Sequence, residues 1–228
     1  MKASSVTDRS GVDWFARITA ILGLIVALAA VVVPLLKDNQ DKQEQLTIVA
    51  KPEGSGGIIR LSSNESKSNA VQIPWIITLS NTGRTKLSVV SYRIAQLTYE
   101  GMMFFTGLDG GISDRNNKPM TFPVILGDGE IVSFRLHLGF EPTIQISQLL
   151  KKMYRINGPL DAHKTFLALA EKSLTIYGGK ASMLKYEDDS YKVSIDPNSL
   201  QNVPIYNVAF LTGRNQEFSI KCSAYSNL

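Results

Sequence analysis

Two histidines, one cysteine and a scatter of carboxylates are the residues of this 228-residue sequence that could ligate a metal, relay a proton or attack a substrate. His137 lies in an alternating run, on the face opposite Phe134, and His163 lies beside the apolar stripe of a helix rather than on it. Neither has a cysteine, a second histidine or a pair of carboxylates at the spacing that a metal site or a general base needs, so both read as surface histidines. Asp109 and Asp114 flank glycines in LDGGISD and could add oxygen ligands to a calcium loop, but the EF-hand spacing is missing. Glu187, Asp188 and Asp189 read as a solvated turn. Cys222 shares an alternating face with Phe218, Ile220 and Ala224, which makes it a small core residue and an inert thiol. No G-x-S-x-G, H-E-x-x-H, C-x-x-C or phosphate-loop sequence occurs. The expectation is therefore a protein without cofactor or metal that is not an enzyme. An envelope hydrolase with a site assembled from scattered residues is the rival on this point.

Charge offers a different kind of chemistry. Lys plus Arg number 24 against 20 Asp plus Glu, a net charge of +4, too small to make the whole chain a polyanion binder. Over residues 143–185, however, Lys151, Lys152, Arg155, Lys164, Lys172, Lys180 and Lys185 face only Asp161 and Glu171. Such a segment can dock on anionic headgroups or on an acidic partner. A solvated helix face is the simpler reading. Aromatic residues are not interleaved with these cations, so no nucleic acid is expected as a partner.

The elements that position these residues begin with an apolar run. Residues 18–36 read ITAILGLIVALAAVVVPLL without a charge. At about 1.5 Å per residue this is just long enough to cross a bilayer core of roughly 30 Å. Ile18, Leu22, Leu24, Ile25, Leu28, Val31 and Leu36 are the expected lipid-facing anchor, after an N-terminal tail over 1–17. A cleaved signal peptide competes, since Lys2, Arg9 and Arg17 precede a small-x-small site at Ala27, Leu28, Ala29, but the apolar run continues beyond that site. Lys2, Arg9 and Arg17 balance Lys37, Lys42 and Lys51, so the positive-inside count is a tie. The short N-terminal tail favours an N-in anchor of the cell membrane with an extracytoplasmic C-terminal domain. A polar juxtamembrane stalk is expected over 37–45.

Beyond it the pattern is of short strands. Val71, Ile73, Trp75, Ile77 and Leu79 occupy every second position, and Leu87 and Val89 followed by Val90, Tyr92 and Ile94 shift the apolar parity as a bulge would. Residues 99–105 continue as a strand candidate and 107–118 as a long exposed loop. Phe122, the Gly127-Asp128-Gly129 turn and alternating Val132 to Phe140 make a hairpin. Ile146, Leu149, Leu150, Met153 and Tyr154 follow helical spacing up to Gly158-Pro159, and Asp161 can cap a second helix. Strand signals then resume to the end. Asn64-Glu65-Ser66 matches a glycosylation acceptor, within what otherwise reads as a polar loop. Roughly ten to twelve short strands give a mostly β fold: one domain over 46–228, with a helical insert about 144–172.

WIITLSNTGRTKLSVVSYRI from Trp75 and FPVILGDGEIVSFRLHL from Phe122 resemble the paired strand signatures of bacterial membrane-anchored immunoglobulin-like β-sandwich modules. The resemblance covers roughly residues 46–140, implies an antiparallel immunoglobulin-like sandwich and carries no catalytic residues. The expected function is a single-pass membrane-anchored binding or accessory module, with the lipid bilayer and a protein of a membrane-associated assembly as partners. Asp109, Asp114 and Arg115 on the loop, and Lys151, Lys152, Arg155 and Lys164 on the insert, are the candidate interaction residues. The alternative is a cytoplasm-facing sensor or effector whose basic insert contacts the inner leaflet.

Overall fold

Alternation of apolar and polar side chains sets the frame of the computed structural model, which describes residues 10–41, 43–54, 56–61 and 69–225. The glycosylation triplet at 64–66 lies outside the described residues. Among the described residues, thirteen strands and three α-helices follow one another: α1 (Ser10–Asp41), β1 (Leu46–Pro52), β2 (Ile58–Leu61), β3 (Val71–Asn81), β4 (Leu87–Thr98), β5 (Gly101–Met103), β6 (Asp109–Ser113), β7 (Val124–Leu126), β8 (Ile131–Phe140), α2 (Ile144–Asn157), β9 (Leu160–Asp161), α3 (Ala162–Ala170), β10 (Ala181–Lys185), β11 (Tyr191–Ile195), β12 (Ile205–Thr212) and β13 (Glu217–Ser223). All the paired strands are antiparallel. One sheet runs β6-β8-β3-β2-β9, with β1 pairing β3 beside β2, and another runs β13-β12-β4-β5, with β7 also on β4. β10 and β11 form a separate hairpin.

The two larger sheets share a core. Ile73, Trp75, Ile77 and Leu79 of β3 and Phe134, Leu136 and Leu138 of β8 turn inward against Tyr206, Val208 and Phe210 of β12. Trp75 meets Tyr206 edge to face at 5.9 Å, Phe134 meets Phe210 at 6.2 Å, and Phe122 fills the space beside Phe134 and Phe210. Aromatic pairs in this geometry add roughly 0.5–1.5 kcal/mol to what burial itself contributes. The parity shift in β4 is a bulge: Leu211 pairs with Ser91 and Thr212 with Val89, which leaves Val90 extra and exposed between buried Val89 and Ile94. Cys222 is a free, buried thiol, and desolvation pushes it up to about 12.

His137 corrects the surface assignment of the histidines, because it is wholly buried. Residues 107–118 are an exposed loop only in their second half, where 115–118 form an exposed turn. Their first half crosses the outer face of β8 as a strap: β6 pairs with β8, Gly139 N–H donates to Leu108 O at 2.8 Å, and Gln72 Nε2 donates to Gly107 O at 2.9 Å. Glycine permits the close approach. A Cβ on Gly139 would stand 1.9 Å from Gly107 O, and one on Gly110 would meet His137 Cβ and Gln72 Oε1 at 2.6 Å. Leu108, Ile112 and Ser113 are buried as a result.

The apolar run is a helix as expected, and its junction with the strands differs from expectation. α1 is long and apolar enough to cross a membrane, and its apolar window over Arg17–Pro34 is not buried against the rest of the protein. The helix runs through Asp41, over half of the stretch expected to be a stalk. Glu44 is buried: its carboxylate accepts from the Thr212 hydroxyl and lies 3.9 Å from Arg214 Nε. Thr82 N–H donates to Gln45 O at 3.0 Å. The separation between helix and strands is thus only a few residues. Glu44→Ala is expected to cost about 1–3 kcal/mol, the usual consequence of stripping a buried hydroxyl of its partner. Limited proteolysis of the full chain should then cut faster between residues 41 and 46.

Candidate binding surface

Strand register defines two ends. At one, Leu46 pairs with Asn81 and Ser80 with Ile131, while Leu87 pairs with Leu126 and Thr212 lies against Glu44. Asn81 Nδ2 ties the two sheets there, donating to Thr85 O and Gly127 O at 2.8 Å. This is the end at which the chain arrives from α1. At the other, Val71 pairs with Phe140, Ile205 with Leu97 and Thr98 with Gly101, and Tyr206 Oη donates to Gly139 O at 3.1 Å. At about 3.3 Å per residue, the ten-residue span of β8 separates the two ends by roughly 30–35 Å.

The far end carries the helices. α2 starts where β8 stops, with the Thr143 side chain accepting from Ile146 N–H at 3.4 Å, and ends at Gly158, whose φ of 71° a residue with a Cβ would adopt only under strain. Ile146 and Leu150 face the core. Helical geometry then puts Gln148, Lys151, Lys152 and Arg155 on the opposite face, with Ile144 among them. Ile144 is 78% exposed and Ile156 71%. Lys151 Nζ reaches Asn69 Oδ1 at 3.5 Å, which lays α2 over the start of β3. Asp161 caps α3 by accepting from Lys164 N–H at 2.9 Å, and the Lys164 side chain is exposed.

At the same end of the strands, the β4–β5 hairpin lies at the edge of the second sheet. The strand expected over 99–105 is a turn at Tyr99 and Glu100 followed by the three-residue β5 at the sheet edge. Tyr99 is 97% exposed, with Met102 and Phe104 also open to solvent. Between this tip, the turn from β8 to α2 and the segment before β12 runs a groove of about 850 Å³ lined by Thr98, Tyr99, Met103, Pro142, Thr143 and Val203 among others. The apolar content of 99–105 resembles a half-buried strand; only Glu100-Gly101 hinted at a turn.

The other candidate residues lie elsewhere. Asp109 is on β6, where its Oδ1 accepts from Gly111 N–H at 2.8 Å and from Tyr92 Oη at 2.9 Å. Burial and this carboxylate together hold the Tyr92 phenol well above its ordinary range. Asp114 closes the turn after β6, its Oδ1 accepting from the backbone N–H groups of Asn116 and Lys118 at 2.8 Å. Both carboxylates therefore serve the strap internally. Arg115 has an exposed side chain and a carbonyl that receives Arg135 Nη1 at 2.6 Å. The structure brings Lys151, Lys152 and Arg155 together and leaves Asp109, Asp114 and Arg115 along the β6 edge.

His137 sits beneath the strap with neither ring nitrogen hydrogen-bonded. Burial, then the Arg60 and Arg135 guanidinium groups, push its imidazole down to about 4, with the backbone of Ile58 and Gly111 opposing part of the shift. It is neutral at pH 7. His163 Nε2 instead pairs with Tyr191 Oη at 2.6 Å, pinning the β10–β11 hairpin to α3. Among the described residues, no three His, Cys, Asp or Glu side chains gather as a metal site requires. Ile18, Leu22, Leu24, Ile25, Leu28 and Val31 lie along α1, outside the strand core, and Leu36 falls in its last part. No family model, curated protein or solved structure matches the chain.

Proposed function

We propose that the chain is a single-pass membrane protein that displays an immunoglobulin-like β-sandwich, with residues 144–172 as a helical insertion, and acts as a binding or accessory module in a membrane-associated assembly. The observation that carries this reading is the opposition of the two ends. α1 joins the strands where Leu46 pairs with Asn81, and the exposed tip, the groove and the basic helix cluster where Val71 pairs with Phe140. A surface roughly 30 Å from its own anchor is several Debye lengths away from that bilayer in an upright domain. This supports recognition directed outward over contact of the basic insert with the leaflet that holds α1. The buried Glu44 junction supports it too, since a domain joined without a long stalk holds its far end away from the membrane.

The domain is read as extracytoplasmic, with α1 retained as an anchor. Fusion of the C-terminus to alkaline phosphatase, active only outside the cytoplasm, and in parallel to a fluorescent protein that matures only inside, tests this. Active phosphatase in a full-length product of the membrane fraction is the expected result. Fluorescence would overturn the display reading.

A further inference from the structure

The far end combines two features that ordinary solvated surfaces keep apart. α2 has Lys151, Lys152 and Arg155 on one face and no acidic residue anywhere in its length. Lys151 and Arg155 are four apart, a like-charge spacing that destabilises a helix. Neither Lys152 nor Arg155 has an ion pair with a described residue to offset this. On α2 itself, exposed apolar side chains border the same cations, Ile144, Tyr154 and Ile156, and at the same end of the strands Tyr99, Met102 and Phe104 of the β4–β5 tip are exposed too. Glu100 and Glu141 are the acids nearest the groove, and they lie outside α2.

A protein partner would need acidic and apolar patches matched to this spacing, and a nucleic acid would want aromatic platforms within the basic stripe. A bilayer surface rich in anionic lipid uses both the cations and the apolar side chains. Its phosphates meet the cations at about 1 kcal/mol each, and aromatic and aliphatic side chains settle at the headgroup boundary. The bilayer of the protein's own anchor lies at the opposite end of the strands. We propose that the end of the domain remote from α1 docks on a second bilayer, one containing anionic lipid, through Lys151, Lys152 and Arg155 with Tyr99 and Phe104 as apolar contacts. This rests on the membrane-anchored, outward-directed reading above, and makes the protein a bridge between two lipid surfaces.

The test uses the full chain reconstituted in phosphatidylcholine vesicles. Flotation with those vesicles, and protease access to the domain, report on the anchor independently of docking. Protein-free fluorescent vesicles are then added, of phosphatidylcholine alone or with about a third phosphatidylglycerol, and capture is counted. The anionic vesicles are expected to be captured at least tenfold better, with capture falling as salt rises from about 0.05 to 0.3 M. Lys151→Gln/Lys152→Gln/Arg155→Gln should lower capture by on the order of a hundredfold. Tyr99→Ser/Phe104→Ser should lower it severalfold while keeping the salt dependence. Equal capture of neutral and anionic vesicles, or a triple variant that docks like the parent, would overturn the proposal. In a parallel arm the added vesicles carry the protein as well, and capture confined to that arm would overturn the proposal too and identify a second copy as the occupant. Successful flotation without docking removes this inference and leaves the anchored-module reading standing.

Discussion

Arg135→Met is expected to lower the stability of the domain by about 3–5 kcal/mol, the cost of leaving one half of a buried ion pair without its partner. Arg135 is on the face of β8 that the strap covers, and its side chain is 6% exposed against 10% for Glu53. Nε donates to Glu53 Oε2 at 2.6 Å and Nη2 to Oε1 at 2.7 Å, a bidentate fork. Nη1 serves a third segment, donating to Arg115 O at 2.6 Å and Asn117 Oδ1 at 3.1 Å. One guanidinium therefore joins β8 to the turn after β1 and to the turn after β6. Removing it strands a desolvated carboxylate, whereas Glu53→Leu/Arg135→Met removes both charges and should recover most of the loss. Urea unfolding of the full chain in detergent, run as a double-mutant cycle, measures the coupling. A single-mutant loss under about 1 kcal/mol would place the pair in the class of surface salt bridges.

That pair also marks the limit of what the amino-acid order discloses. Local periodicity sees one strand at a time, so β3, β8, β12, the bulge at Val90 and both helix caps are readable from neighbours a few positions apart. Glu53 and Arg135 are 82 residues apart, and Glu44 and Thr212 168. Nothing in a window of ten residues links them. His137 departs from its expected place for a related reason. Alternation correctly puts it on the face opposite Phe134, and the error lies in equating that face with solvent, since covering by the strap is a tertiary event signalled only by glycines at 107, 110 and 139. The tip at Tyr99 departs the opposite way: its apolar side chains suggest burial, although exposed apolar residues often mark contact surfaces.

Both departures have a functional side. The polar stretch that resembles a recognition loop is committed to structure, with Asp109 and Asp114 accepting hydrogen bonds from its own turns. The apolar stretch that resembles a structural strand is open. Candidate recognition moves accordingly from the β6 edge to the end of the strands that carries α2 and the β4–β5 tip. Lys151, Lys152 and Arg155 stay in that surface because helical spacing alone places them together.

His137 gives the domain an acid limit. Its imidazole is pushed down to about 4 in the folded protein, by burial first and then by Arg60, against an ordinary value of 6.5. Folding therefore favours the neutral ring. The stability it protects is fully present above pH 6.5 and is lost as pH falls from 6.5 through 4, because the unfolded chain takes up the proton first. The loss reaches about 2 kcal/mol at pH 5 and about 3 kcal/mol below pH 4. The charges of Arg60 from β2 and Arg135 from β8 oppose a proton on the ring, and the backbone of Ile58 and Gly111 offsets only part of that cost. The strap latched by Arg60 Nη1 to Gly110 O at 2.7 Å is the part expected to open first. Hydrogen exchange of the Gly139 amide, which donates to Leu108 O, should accelerate between pH 6.5 and 4 beyond the intrinsic trend. His137→Gln removes the titrating group while keeping a polar side chain of similar length, at some cost in stability at pH 7. Its urea midpoint should change less than the parent's between pH 7 and 5. A parent and variant whose midpoints fall in parallel would assign the acid sensitivity to other groups.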